Sequence, residues 1–153
     1  MPFKIENRLG VQAPAEIIWE CLSNLSTWHE WNPLYPSAVG NIRIGEILTL
    51  ELALPGQPVQ TIQPRILDWA PMDHIHWQLK MMRGLITTVR YLEIEIMGDT
   101  NCVVSNGEVF SGPLSFLARS QRSAIREGFN AMGEAVKARA EARWVAHASA
   151  SPP

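Results

Sequence analysis

The apolar pattern of this chain changes at Pro113, and that change constrains the fold more than any other feature. From there to about Ala146, the candidate core positions recur every three or four residues, which is typical of one long amphipathic helix. Such a helix would measure roughly 50 Å, too long for a small all-helical bundle, so it needs a broad surface to pack against. Gly128 and Gly133 inside it indicate close approach of the sheet or a ligand, a bend, or simple tolerance. The repeating positions are Leu114, Leu117, Gln121, Ile125, Phe129, Met132 and Val136.

Before Pro113, apolar and polar residues alternate, as they do in strands with one buried face. Pro55-Gly56 and Gly98-Asp99 supply turns, and Pro64 indicates an edge or a bulge. Because the helix is the only long apolar stripe available to cover these strands, we predict an α+β fold. In it, a curved antiparallel sheet of about seven strands wraps around the C-terminal helix and leaves a space beneath it. The predicted strands are residues 3–11, a short strand at Ile42 and Ile44, and residues 47–54, 59–68, 74–81, 86–96 and 100–110.

Residues 13–33 hold a dense group of aromatic side chains directly after the first strand. Pro14 suits the first turn of a helix because its φ angle is already fixed there. Large rings bury on the order of 150–250 Å² each, so this group needs a concave surface to pack against. The spacing predicts two short helices separated by a turn, which close the open end of the sheet. The tryptophans concerned are Trp19, Trp28 and Trp31.

The composition restricts the class of protein and its partners. A net charge of −2 gives no electrostatic footprint for nucleic acid, so we expect no nucleic-acid partner. No apolar run approaches a membrane span and the N-terminal residues lack a signal pattern, so we expect no stable membrane insertion. Cys21 and Cys102 lack CxxC spacing and indicate buried free thiols in a reducing compartment. We therefore expect a cytoplasmic monomer or homodimer, with one domain over residues 1–148 and a frayed tail over 149–153.

Two motifs resemble the START-like SRPBCC superfamily, and within it the polyketide cyclase/dehydrase type. The first, A-P-A-E-x-x-W followed by L-S-x-W-x-x-W-N-P, lies in residues 13–33, and the second is E-x-F-x-G at Glu108, Phe110 and Gly112. The likeness extends over residues 3–143. It implies a helix-grip fold with a deep hydrophobic cavity between the sheet and the C-terminal helix. Members include lipid and hormone carriers, cyclases and aromatases of polyketide synthesis, and co-chaperones.

Arg90 and Glu108 are the sharpest candidates for a polar end to that cavity. Alternation places both on apolar strand faces, and the hairpin at Gly98-Asp99 places their strands side by side. A buried charge is costly unless it is paired or wetted. Two interpretations stay open. The first is contact with a ligand carbonyl, hydroxyl or carboxylate, with Glu108 as a general base if the chain is an enzyme. The second is a buried ion pair or a wet cavity mouth without chemistry. The predicted ligand-binding residues are Trp28, Trp31, Trp77, Met81, Arg90, Asn106, Glu108, Phe110, Phe129 and Met132.

His74 and His76 have the spacing of a metal-binding pair, but their strand face also carries Gln78 and Lys80. That face is predicted to be solvated, no third ligand is apparent, and His29 lacks a nearby partner. We therefore predict no metal and no other cofactor. Nucleophile-elbow, GxGxxG and P-loop patterns are absent, so no catalytic residue is assigned.

Three functions follow from the sequence. The first is binding of a small hydrophobic or aromatic molecule in the cavity, which would make that molecule the chain's partner. The second is a cyclase or aromatase for a polyketide-like substrate that uses polar groups of the cavity. The third is an interaction module of the co-chaperone kind, which would act through the outer face of the sheet and need no cavity.

Overall fold

A computed structural model describes residues 2–150 of the chain. Within them, the expected order of a first strand, short helices, further strands and a long final helix is confirmed. The elements are β1 (Phe3–Val11), α1 (Ala15–Ser23), a 3₁₀ helix (Leu25–Glu30), β2 (Ser37–Val39), β3 (Thr49–Leu52), β4 (Gln60–Ile62), β5 (Arg65–Ala70), β6 (His74–Met81), a 3₁₀ turn (Met82–Gly84), β7 (Ile86–Gly98), β8 (Asn101–Ser111), a 3₁₀ helix (Ser115–Gln121) and α2 (Arg122–Ala150).

The strands form two antiparallel sheets rather than one. Five strands follow the order β1-β8-β7-β6-β5, and three follow the order β2-β3-β4. Pro64 cannot donate a ladder hydrogen bond, and it separates β4 from β5 within the single strand predicted there. A bridge between Ile47 and Arg65 joins the two sheets, and the Leu48 amide donates to the Pro64 carbonyl at 2.9 Å. The predicted helix-grip fold is thus confirmed.

Antiparallel pairing sets three central residues side by side on the inner face of the larger sheet. Trp77 on β6 lies opposite Arg90 on β7, and Arg90 lies opposite Glu108 on β8. Because side chains alternate along a strand, all three point toward α2. This row places the two predicted charged groups in the interior, as their alternation indicated.

The final helix begins later and ends later than the sequence predicts. Residues Ser115–Gln121 form a 3₁₀ helix, because the amide of Leu114 donates to the Leu85 carbonyl at 3.0 Å and ties this segment to the β6–β7 loop. The α-helical part then runs to Ala150 and includes the first two residues of the predicted tail, while residues 151–153 lie outside the described part. Its buried stripe follows the predicted spacing: Ile125, Phe129, Met132, Val136 and Ala140.

One local prediction is wrong. The short strand lies at Ser37–Val39, whereas Ile42 and Ile44 lie in the following loop, where Gly40 has a positive φ of 137° and Ile44 is 69 % exposed. The second short helix after β1 is a 3₁₀ helix. The expected free, buried thiols are found at Cys21 and Cys102. In residues 2–150, no helix combines the length and apolar character needed to cross a membrane.

Candidate ligand cavity

A cavity of about 320 Å³ lies between the smaller sheet, the inner face of β6–β8 and the start of α2. A cavity of this size that is mostly apolar is typical of small-molecule sites. It forms because the smaller sheet spans the end of the larger one while the long helix covers both. Its apolar and aromatic lining comprises Tyr35, Leu52, Leu54, Ile62, Trp77, Leu79, Met81, Ile86, Phe110, Leu117, Ala118, Ile125 and Phe129.

The polar groups of the lining lie at two ends of the cavity. Glu108 is the carboxyl side chain of the described lining, and it extends from β8 on the inner face of the sheet. Three glutamines lie toward solvent, and the Gln57 amide hydrogen-bonds to the Gln121 side chain across the gap between the β3–β4 loop and the 3₁₀ helix. The cavity therefore has an acidic inner wall and an amide bridge at its mouth. The third glutamine is Gln60.

The surroundings of Glu108 favour the protonated form of its carboxyl group. Burial raises the pKa of this carboxyl above its ordinary value of 4.5, and the nearby Arg90 guanidinium offsets only part of that effect. The Thr88 hydroxyl also lowers the pKa of this carboxyl, by less than Arg90 does. A neutral carboxylic acid in an apolar cavity has one hydrogen to donate and one carbonyl to accept.

Arg90 does not reach into the cavity, although it lies opposite Glu108 in the sheet. Its guanidinium donates to Tyr35 Oη at 2.9 Å, to Asn106 Oδ1 at 2.7 Å and to the Gly107 carbonyl at 3.1 Å. Its carbon lies 4.0 Å from the ring centre of Phe129, which suits a cation–π contact. The side chain is only 1 % exposed, so these neutral partners replace water around a buried charge.

Tyr35 is a wall residue that the sequence analysis missed. Its ring stacks on Trp28 with centroids 5.6 Å apart and meets Trp77 edge-on at 5.9 Å. Asn32 fixes the backbone beneath it, because its Oδ1 accepts the amides of Leu34 and Tyr35. Burial raises the pKa of Tyr35, so its hydroxyl stays protonated. In the sequence, Pro33 and Pro36 flank Leu34 and Tyr35 and indicate a turn there. They do not indicate the direction in which the Tyr35 side chain points.

The ten predicted ligand-binding residues fall into two groups. Half of them line the cavity: Trp77, Met81, Glu108, Phe110 and Phe129. The others form the packed wall behind it: Trp28, Trp31, Arg90, Asn106 and Met132. In that wall, Asn106 and the Met132 sulfur contact Arg90, while Trp28 lies under Trp77 and donates to the Cys21 carbonyl. Trp31 meets Trp28 edge-on.

The histidine pair lies on the outer face of the sheet, as predicted, but it is not simply solvated. His74 Nε2 lies 3.0 Å from Asp68 Oδ2, and His76 Nε2 lies 2.8 Å from Glu93 Oε2. The sequence analysis found no third ligand because Asp68 lies on a different strand. Strand pairing brings that carboxylate beside both rings.

Comparison with solved structures identifies the class of protein. The Zhui aromatase/cyclase from Streptomyces sp. R1128 aligns with a TM-score of 0.76 at 16% identity, over 94% of this chain and 96% of that one. The di-domain aromatase/cyclase StfQ of the steffimycin pathway gives 0.71 at 15%, over 97% of this chain and 52% of that one. A norcoclaurine synthase point mutant from Thalictrum flavum gives 0.71 at 16%, over 94% and 96%. At these identities the likeness shows that the chain shares the helix-grip fold class.

The sequence identifies the family within that class. Residues 2–142 match the family described as "Polyketide cyclase / dehydrase and lipid transport", and the chain belongs to that family. A search of curated proteins found no match. The resemblance noted from the two motifs is thereby confirmed, and the family description fits a chain that binds small apolar molecules or cyclises them.

Proposed function

We propose that this protein binds a small hydrophobic or aromatic molecule that carries one carbonyl or hydroxyl group. The observation that supports this is the pairing of a largely apolar cavity of about 320 Å³ with a carboxyl group, Glu108, on its inner wall. Apolar walls supply affinity through burial, at roughly 25 cal/mol per Å². A few placed polar groups fix the orientation of the ligand.

Because of Glu108, the site should prefer ligands that carry a polar group at one end. Its raised pKa keeps the carboxyl neutral over part of the pH range in which other glutamates are ionised. The acid then donates to a ligand carbonyl or accepts from a ligand hydroxyl. A fully apolar ligand leaves that group unpaired, which costs about 1–3 kcal/mol.

A cavity-filling substitution tests whether the ligand enters this space. Ala118 lines the cavity, and Ser120 lies exposed on the same 3₁₀ helix outside the lining. A118W should therefore abolish binding of 2-naphthol, measured by calorimetry, while the matched control S120W should bind like the wild type. Equal binding by both variants would place the ligand elsewhere and overturn the proposal.

A second experiment isolates the role of Glu108. E108L keeps the volume of the side chain but removes the hydrogen-bonding group. We expect 2-naphthol to bind about tenfold more weakly to E108L, the equivalent of 1.4 kcal/mol. Naphthalene, which has no hydroxyl, should bind E108L more tightly than the wild type, because the leucine leaves no buried carboxyl unpaired. An equal loss for the two ligands would mean that Glu108 shapes the cavity without contacting the ligand's polar group.

An enzymatic role is the second candidate, and the environment of Glu108 favours it. A carboxyl with a raised pKa at the wall of a largely apolar cavity suits general acid–base catalysis on a bound carbonyl compound. The substrate would then be a polyketide-like molecule, and the reaction a cyclisation or aromatisation. Turnover of a poly-β-ketone thioester that is lost in E108Q, with binding retained, would support it. The co-chaperone alternative needs no cavity and receives no support from the one described here.

A further inference from the structure

Two histidines and a carboxylate meet on the outer face of the larger sheet, on the side away from the cavity. His74 and His76 are two residues apart on β6, so they share a face, and their ring centres lie 4.5 Å apart. Asp68 on β5 is the register partner of His76. An irregularity of register between Ile66 and Asp68 alters the strand next to the site, and such irregularities re-aim side chains.

The donor atoms of these three residues are spaced as ligands of one cation. His74 Nε2 and Asp68 Oδ2 are 3.0 Å apart, and one donor atom from each residue lies within 4.8 Å of the others. Two ligands of a tetrahedral zinc ion with bonds of 2.0–2.1 Å are roughly 3.3 Å apart. Side-chain adjustments of about an ångström would therefore complete three bonds. We propose that Asp68, His74 and His76 form a site for a divalent transition metal of the Zn²⁺ type, whose fourth position is filled by water.

Two further carboxylates contact ring nitrogens of the two histidines. Asp73 Oδ2 lies 2.5 Å from His74 Nδ1, on the side of the ring opposite Asp68, and Glu93 Oε2 holds His76 Nε2 at 2.8 Å. Histidines that bind metals commonly have such a carboxylate partner at the second ring nitrogen, which fixes the ring and increases its basicity. Asp73 therefore has the position of an outer partner in a carboxylate–histidine–metal arrangement.

The charge of the cluster favours a cation. Three carboxylates from β5, the β5–β6 turn and β7 surround two imidazoles, so the cluster is negative when both rings are neutral. A divalent cation held between the two rings would offset that negative charge.

Metal titration of the full chain tests this site directly. Protein treated with a chelator and then dialysed is titrated with Zn²⁺ by calorimetry, and with Co²⁺ to record the visible spectrum of the bound ion. We expect one ion per chain and a tetrahedral Co²⁺ spectrum. H76A and D68N should each weaken binding at least tenfold, and D73N should weaken it 10- to 100-fold while keeping one ion per chain. H29A, which removes an exposed histidine outside the cluster, is the matched control and should bind like the wild type.

Three results would overturn the proposal. They are the absence of Zn²⁺ binding, an octahedral Co²⁺ spectrum, and equal affinity in H76A, D68N and H29A, which would indicate an adventitious ion. Near-ultraviolet circular dichroism of each variant checks that the fold is retained. Because these residues lie on the outer face, H76N serves as a milder replacement if H76A fails to fold. Zn²⁺ should also raise the melting temperature of the wild type and H29A, but not that of H76A.

Discussion

The C-terminal helical segment meets the rest of the molecule in two different ways. Its later part, residues 131–150, lies directly on β1 and α1, where Met132, Val136 and Ala140 are each almost fully buried; this part and the surface that it contacts form the packed half. Its earlier part, residues 115–130, is the cavity half and includes Ile125 and Phe129, which border the cavity beneath the smaller sheet. One continuous apolar stripe thus serves two purposes. A sheet directly beneath a helix gives a packed core, and a second sheet held away from it leaves room for a ligand.

Arg90 lies on the border between these two halves. Its guanidinium contacts Phe129 on the cavity side and the Met132 sulfur on the packed side. Four of its bonds go to neutral oxygen acceptors, so the residue secures several elements at once. Replacing Arg90 should therefore disturb the packing of both halves at once.

Loss of Arg90 should have the largest effect on stability. R90A leaves the Tyr35 hydroxyl, the Asn106 oxygen and the Gly107 carbonyl without their donor, and it opens a void at the border. We expect a decrease in the free energy of unfolding of about 3–5 kcal/mol, measured by urea denaturation. The control R126A changes an exposed arginine on α2 and should stay within about 0.5 kcal/mol of the wild type. A similar small effect for R90A would contradict a role for Arg90 as a buried anchor.

Enlarging a small side chain should be costly in one half and tolerated in the other. Ala140 is fully buried against α1 and β1, so A140W has no space for its ring and should lose 1–3 kcal/mol or more. Ala118 borders the cavity, so A118W can place its ring there and should lose less than about 1 kcal/mol. Equal losses in urea denaturation would show that the cavity half is packed as tightly as the other half.

Two glycines of α2, Gly128 and Gly133, allow the same comparison because one lies in each half. A Cβ at Gly133 would lie 1.9 Å from Asn7 Oδ1, in the packed half, where Asn7 links Asn106 to Asn130 through hydrogen bonds. G133A should therefore cost about 1–3 kcal/mol. A Cβ at Gly128 would meet the tip of Leu34 at 2.9 Å beside the cavity.

That contact is with the end of a flexible side chain, so G128A should cost less than G133A, and the higher helix propensity of alanine should offset up to about 1 kcal/mol of the cost. Thermal unfolding of both variants checks the pair. Destabilisation of G128A as large as that of G133A would mean that the cavity half cannot adjust.

Glu108 should make the free energy of unfolding depend on pH. Burial raises the pKa of its carboxyl in the folded chain above the ordinary 4.5, so folding disfavours ionisation. Wild-type stability should fall as the pH rises from 4.5 to the raised folded pKa, by at most about 1.4 kcal/mol per pH unit from this group. E108Q should lack this component, so its advantage over the wild type should grow with pH and vanish below pH 4. Parallel curves for the two proteins would show that Glu108 ionises normally.

Periodicity predicted most of the architecture because one-sided burial leaves a clear pattern in sequence. The alternation in β6, β7 and β8 placed Trp77, Arg90 and Glu108 on the inner face, and the structure brings them into one row. The partners of Arg90 could not be predicted, because they depend on register and on Tyr35, which follows an irregular turn. Asp68 could not be predicted as a ligand for the same reason, because only the pairing of β5 with β6 brings Asp68 next to the histidines.

Methyl resonances titrated with 2-naphthol test the central claim most directly. The account predicts that shifts concentrate at residues that line the cavity, such as Ile86, Leu79 and Met81. Methyl groups of the packed half, such as Ile18 and Val136, should remain unchanged. Shifts that are absent at saturating ligand, or that concentrate in the packed half, would contradict the assignment of this cavity as the binding site.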